Sequence, residues 1–299
     1  MSSTSWSSPA AELAVTPALV RALLEREHPD LAGLALGETY EGWDNVTMRV
    51  GDSLAVRIPR HARAGSLIER EHVWLPRLAA AWTFAVPAPV RIGAASAEVP
   101  WPWAVVPWMA GDSAYDTPLS SRGAVDLGRA LAQVHAPAPP DAPRNPFRSA
   151  PLADRAERFD DRVERLIDLG VPIDADLARA QFRTGAVRRR PIETWCHLDL
   201  HGANVLTECG RLAGILDWGD MGIGDPATDL GQAWCLVGSA RMRDLLKGYA
   251  DAVTPLDESA MQRIRAEALA FAVTLASFDE QPYAAAGRAA LVDLDVVPG

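Results

Sequence analysis

One lysine, Lys247, stands among 29 basic residues, so the other 28 are arginines. A basic group needed anywhere in the first 246 residues must therefore be an arginine, whose planar fork is not equivalent to an ammonium. Cysteine is equally scarce. Cys196, Cys209 and Cys235 are odd in number and lack metal-ligand spacing, which excludes a full disulfide framework and reads as reduced thiols in a cytoplasm. No apolar run approaches the roughly 20 residues needed to span a bilayer. The first nine residues, Met1 to Pro9, have neither the basic region nor the apolar core of a signal peptide; being rich in Ser and Thr, they read as disordered. Positive charge is in deficit: a net charge of −10 argues against nucleic acid as a partner and suits a cationic small molecule. No glycine-rich phosphate fingerprint and no internal repeat is present.

What is present is enough for a substantial core. At 299 residues and 48% hydrophobic, with mean hydropathy −0.02, the chain is an ordinary globular protein long enough for two lobes. Its chemistry concentrates between Trp195 and Asp220. There His197, Asp199 and Asn204 reproduce the spacing His-x-Asp-x-x-x-x-Asn of phosphoryl-transfer catalytic loops. Val205 to Thr207 and Leu212 to Leu216 read as two strands joined through Glu208-Cys209-Gly210, a hairpin that ends at Asp217. An alcohol attacking a terminal phosphate needs a proton acceptor and close alignment, and Asp199 can supply both. An amide oxygen from Asn204 and a carboxylate from Asp217 suit the octahedral oxygen shell of Mg²⁺. His197 is expected to hydrogen-bond beneath the loop.

These residues resemble the aminoglycoside phosphotransferases, small-molecule kinases with a protein-kinase-like fold that include macrolide, choline and homoserine kinases. The family's usual His-Gly-Asp-Leu-His-x-x-Asn stands here as His-Leu-Asp-Leu-His-Gly-Ala-Asn, and its Ile-Asp-Trp/Phe-Gly as Ile-Leu-Asp-Trp-Gly. Gly222-Ile-Gly-Asp-Pro-Ala-Thr-Asp-Leu230 matches the Gly-Asp-Pro-x-x-Asp-Leu segment that follows. The departure is Leu198 in place of glycine, which is expected to be tolerated. The resemblance runs from about residue 40 to 280.

It implies an α+β, two-lobed, protein-kinase-like fold, with a small antiparallel-sheet nucleotide-binding lobe over 1–110 and a mostly helical lobe over 111–299 carrying the catalytic loop and acceptor site. It also implies the remaining site residues. The loop Glu41 to Asn45, with Asn45, would lie over the nucleotide phosphates, although a plain hairpin turn would look the same. Arg57, in the strand Leu54 to Pro59, takes the place of a phosphate-binding lysine, with Arg60 the nearest substitute. Glu71 matches its helix partner, with Glu69 the alternative. Pro107 C=O and Met109 N–H fall where adenine would be read. Asp220, Asp279 and Glu280 are acceptor-contacting candidates.

Along the rest of the chain, helices are expected at Pro17 to Glu27, Ser66 to Ala80, Ser120 to His135, Leu152 to Leu169, Gly231 to Val237, Ala240 to Ala252 and Ser259 to Phe278. Leu67, Val73, Leu75 and Leu78 are the apolar positions of the second, and Phe159, Val163, Leu166 and Ile167 those of the fourth. Phe84 to Gly93 is expected as a strand, as is the aromatic-rich stretch from Trp101 that runs into a stop at Gly111. Asp160, Asp161 and Glu164 read as a solvated face paired with arginine, and Arg188-Arg189-Arg190 as a solvated run.

The expected activity is transfer of the γ-phosphoryl of ATP or GTP, with Mg²⁺, to a small-molecule hydroxyl. An aminoglycoside is the first acceptor, which would confer antibiotic resistance; a macrolide or an amino alcohol is the alternative. A nucleotide-binding pseudokinase is the reading from another class, motivated by Arg57.

Overall fold

The computed structural model describes residues 8–187, 192–250 and 256–298. The readings of residues 1–7, of Arg188-Arg189-Arg190 and of a helix end at Ala252 lie outside these. The chain forms two compact units. One comprises the described residues up to Ala81, Ala85–Ala110 and Asp217–Gly219. The other comprises Trp82–Phe84, Gly111–Leu216 and the described residues from Asp220 onward.

In the first unit, helix α1 (Pro17–Glu27) starts where Thr16 Oγ1 accepts from Leu19 N at 3.2 Å and Pro17 supplies a preset φ. An antiparallel sheet follows, built from β1 (Leu36–Glu41), β2 (Asn45–Val50), β3 (Leu54–Pro59), β4 (Arg91–Gly93) and β5 (Trp103–Pro107) in the order β1-β2-β3-β5-β4. Its core joins Val20, Leu23 and Leu24 of α1 to Met48, Val56, Ile58, Trp103 and Val105. The central position of β3 fixes Arg57 opposite Thr47 on one side and Ala104 on the other. Helix α2 (Ala62–Ala79) presents Ile68, Glu71 and Leu75 to the interior.

Two expectations are corrected here. Val73 points outward at 47% exposure, and Ile68 takes the buried position instead. The strand foreseen over Phe84 to Gly93 shrinks to β4, because Pro87 and Pro89 lack the N–H groups a ladder requires.

The second unit is mostly helical. Its strands are β6 (Asp112–Ser113), β7 (Thr194–Cys196), β8 (Val205–Glu208), β9 (Arg211–Ile215) and β10 (Gly222–Gly224), which form the small sheets β6-β8-β9 and β10-β7. The helices are α3 (Ser121–Val134), α4 (Ala156–Asp168), α5 (Ala175–Gly185), α6 (Pro226–Val237), α7 (Ser239–Ala250), α8 (Glu258–Ala276) and α9 (Tyr283–Asp293). Helix α8 packs against α4, α5, α6 and α9, which explains why its C-terminal half, from Ala268 to Ala276, is apolar apart from Thr274. Helices α3 and α7 approach so closely that a Cβ at Gly128 or Gly248 would run into the other helix's backbone.

Helices α5 and α9 went unforeseen. The first has only Ala178, Phe182 and Gly185 buried, and the second is rich in small alanines, so neither shows a strong apolar stripe. Ile167 is 45% exposed, so α4 buries only Phe159, Val163 and Leu166. Among the described residues no helix is long and apolar enough to cross a membrane.

Candidate active site

The turn joining β8 to β9 places Cys209 at φ 50 and Gly210 at φ 72 between the paired residues Glu208 and Arg211. Two successive positive φ values are what a two-residue hairpin of matching twist requires. Upstream of the hairpin, residues 197 to 204 form a loop with almost no regular backbone pairing, and side chains of α6 hold it. Asp229, fully buried, accepts from His197 N at 2.7 Å and Leu198 N at 2.8 Å. Gln232 accepts from Leu200 N at 2.8 Å and donates to Leu198 O at 3.1 Å.

Burial alone would raise the Asp229 carboxyl. The hydrogen bonds from His135 and the Leu198 amide, with the electrostatic influence of the His135 and His197 imidazoles, outweigh it and hold the group below its ordinary value. Behind it, His135 Nε2 lies 3.1 Å from Asp229 and its Nδ1 2.9 Å from Tyr249 Oη. Leu198 adopts φ 67, a left-handed conformation that costs a leucine about 1 kcal/mol. Its side chain is completely buried, which offsets that cost. The leucine is accommodated, but only because α6 clamps the backbone on both sides.

His197 lies fully buried beneath the loop. Its Nδ1 accepts from Asp199 N at 3.2 Å and its Nε2 donates to Leu216 O at 2.9 Å. Asn204 Nδ2 donates to Asp199 O at 2.9 Å, and Leu216 N donates to Asn204 O at 2.7 Å, directly before Asp217 in the chain. The Asp199 carboxylate is one-fifth exposed and is reached by Arg148 Nη2 at 2.8 Å. The same guanidinium holds Asp220 at 2.8 Å through Nη1, and Asn145 Nδ2 reaches the other Asp220 oxygen at 2.7 Å.

In the sheet unit, Arg57 Nη1 lies 2.6 and 2.7 Å from the two oxygens of Glu71, and Nη2 lies 2.7 Å from Asp217 Oδ1. Glu69 is exposed, and Arg60 is engaged by Gly42 O at 2.8 Å. Geometry thus selects Arg57 with Glu71 over both substitutes. Burial opposes charge on Arg57, but the Glu71 and Asp217 carboxylates outweigh it and hold the guanidinium above its ordinary value. Burial likewise pushes the Glu71 carboxyl up, with Arg57 pulling the other way. Asp217 sits at φ 55.

One neighbour of this pair is a pH-sensitive group that sequence reasoning missed. His72 Nε2 is buried with no hydrogen-bond partner among the described residues, and burial plus the Arg57 charge lower its imidazole from 6.5 to about 4. Between those values the unfolded chain binds the extra proton and the folded chain does not. The contribution to stability is therefore complete above pH 6.5 and is lost as pH falls toward 4. His72→Phe is expected to remove about 1–2 kcal/mol of acid sensitivity, allowing for screening at the ring's exposed edge. Urea titrations at several pH values between 7 and 4 measure this; parallel wild-type and variant curves would disprove it.

The other foreseen residues have simpler settings. Asn45 begins β2, 8% exposed, and its Oδ1 is buried without a partner among the described residues. Pro107 ends β5 opposite Leu54, and Met109 follows, half-buried. Asp279 pairs with Arg165 at 2.7 Å, and Glu280 O accepts from Ala284 N at 3.1 Å in the first turn of α9. Arg179 spans Asp160 at 3.1 Å and Glu164 at 2.5 Å, as expected for a solvated charged face. Asn145, Arg148, His135 and Gln232 were not singled out in the sequence. Arg148 lies 72 residues from Asp220 with no periodic signal to connect them.

An amide oxygen, as on Asn204, and a carboxylate, as on Asp217, are each of the ligand type that a hard divalent cation takes. The amide's nitrogen is turned to Asp199 O, so its oxygen is the group available for a ligand.

Comparison with known proteins agrees with this fold. Solved structures of similar fold include the GDP complex of wild-type aminoglycoside 2'-phosphotransferase-IIIa, at TM-score 0.69 and 18% identity over 94% of this chain and 99% of that one. Macrolide 2'-phosphotransferase type I gives TM-score 0.62 and 22% identity over 97% and 100%. The macrolide 2'-phosphotransferase MphH from Brachybacterium faecium gives 0.58 and 21% over 94% and 98%. Among curated protein sequences none matches. The sequence profile of the phosphotransferase enzyme family matches residues 39–266, and the chain belongs to that family.

Proposed function

We propose that this chain transfers the γ-phosphoryl of ATP or GTP to a hydroxyl of a small molecule. Asp199 aligns the hydroxyl and accepts its proton as the bond to phosphorus forms, while the nucleoside diphosphate leaves with the electrons of the broken bond. Arg57, positioned by Glu71, orients the phosphates, and Asn45 covers them. The carbonyl of Pro107 and the amide of Met109 read the base. Asn204 and Asp217 would hold Mg²⁺, which when bound neutralises phosphate charge. Residues 1–110 form the nucleotide-binding part and 111–299 the acceptor-binding part.

The observation that carries this reading is the Arg57–Glu71 pair, with side chains only 8% and 2% exposed. Burying an ion pair costs about as much as it returns, so stability alone does not explain it; a role in binding phosphate does. Unpaired cysteines support a reducing, cytoplasmic setting, and the net charge of −10 supports acceptors other than nucleic acid.

The first acceptor proposed is an aminoglycoside, supported by the acidic charge and by likeness to aminoglycoside phosphotransferases. A macrolide is the second reading, and a specific observation favours it. Asp220 and Asp279, which amines would use, are already paired with Arg148 and Arg165. Beside the loop, the rings of Tyr115, His201 and Tyr283 cluster at 5.2 to 6.2 Å, a surface better suited to apolar contact.

Mg²⁺-dependent nucleotide consumption across aminoglycosides, macrolides and amino alcohols, with ATP and GTP offered separately, tests the proposal. Stimulation by one class supports it and selects the acceptor. Wild-type inactivity with Mg²⁺-nucleotide still bound, together with activity gained by Arg57→Lys, would instead identify a pseudokinase. In an active enzyme, Arg57→Lys is expected to raise nucleotide KM about tenfold, since one ammonium cannot span both carboxylates. An unchanged KM would remove Arg57 from phosphate binding.

A further inference from the structure

Arg148 belongs to no helix or strand, yet its setting is built. It follows the proline-rich segment ending at Pro143, in a turn that Asn145 organises from a buried position. Asn145 Oδ1 accepts from Phe147 N at 2.9 Å and Arg148 N at 3.0 Å, and Asn145 N donates to Ser149 Oγ at 2.7 Å. The turn is fastened to the segment before α6, where Ile223 N donates to Pro143 O at 2.8 Å and Asn145 Nδ2 reaches Asp220. A fixed turn thus delivers a guanidinium whose terminal nitrogens each hold one carboxylate, Asp199 at 2.8 Å and Asp220 at 2.8 Å.

We propose that Arg148 is a positioning residue for the reaction: with Asp220 as its anchor, it fixes the rotamer of Asp199 so that one carboxylate oxygen faces the acceptor hydroxyl. This rests on the phosphotransferase reading above. A planar fork suits the task because its two nitrogens are rigidly related, so anchoring one on Asp220 sets the direction of the other. Each carboxylate oxygen carries two acceptor lone pairs. Oδ1 is the oxygen the guanidinium holds, and Oδ2 lies on the His201 side at 3.8 Å from its Nε2. The same fork occupies Asp220, which separates this residue from amine recognition and makes it part of the catalytic alignment.

Wild-type turnover is established first, on an acceptor or on water. An inactive wild type counts against the transferase reading; a fully active Arg148→Ala counts against the positioning role. Arg148→Ala is expected to lower kcat about 10²-fold, the size of effect a misplaced catalytic group produces, with nucleotide KM within about twofold. Guanidinium ion at tens of millimolar is expected to restore about tenfold of that loss in Arg148→Ala and nothing in Asp199→Asn. Arg148→Lys is expected to recover little, since one ammonium cannot bridge both carboxylates. Asp220→Asn is expected to lower kcat by less, and its loss does not multiply with that of Arg148→Ala in the double variant. A kcat within about threefold of wild type in Arg148→Ala would overturn the proposal. So would a loss that tracks a fall in melting temperature and does not respond to guanidinium.

Discussion

Replacing Asp199 by asparagine is expected to lower turnover by about 10³-fold or more while leaving Mg²⁺-nucleotide affinity within about twofold. Two contributions disappear together. The amide has no basic oxygen to receive the acceptor's proton, and general-base assistance of this kind is worth about 10²–10⁴-fold. The charge that Arg148 holds is also gone, so alignment is lost with basicity. Nucleotide binding persists because Arg57, Glu71 and Asp217 form their own network without Asp199. Steady-state turnover and direct nucleotide titration separate the two effects. Retained turnover would remove Asp199 from the mechanism, and lost nucleotide binding would make it a structural residue.

Asp229→Ala is expected to destabilise the protein by about 3–5 kcal/mol and to abolish activity with it. Its two oxygens serve the amides of His197 and Leu198 and the imidazole of His135, all in the interior. Truncation leaves these donors without water or protein partners and releases the loop that Leu198 occupies at φ 67. Asp229→Asn keeps one acceptor oxygen and offers a donor where amides already point, so about half the loss is expected. Urea unfolding measures both variants. A midpoint near wild type for Asp229→Ala would show that the loop does not depend on this carboxylate.

Local chemistry made much of the fold legible. Thr16 before Pro17 and Asp257 before α8 both cap the helices they precede, because a short polar side chain satisfies the first free amides wherever it stands. Periodicity of four and three residues agrees with the place of Leu127, Leu131 and Val134 on the buried face of α3. It failed for α5 and α9, whose burial depends on what α8 brings against them. The β8–β9 hairpin was readable from its two apolar runs and the connection through Glu208-Cys209-Gly210, although Glu208 proves to belong to the strand and only Cys209 and Gly210 form the turn.

The active site divides along the same line. Asp199, Asn204 and Asp217 lie within nineteen residues of one another, so spacing alone revealed them as a set. Arg57 and Glu71 were implied by the family resemblance, and of Glu71 and Glu69 it is Glu71 that lies on the buried face of α2. Arg148 with Asp220, and Asp229 with the loop amides, could not be read in advance. Their partners are 31 to 72 residues away, and whether a surface-looking arginine or aspartate meets them depends on how loops and α6 pack. The sequence by itself determined which groups are candidates for the chemistry, because identity and short spacing are local. Only the tertiary structure decided how they are held and which carboxylates are already paired, because hydrogen bonds and ion pairs depend on distances of about 3 Å that packing alone sets.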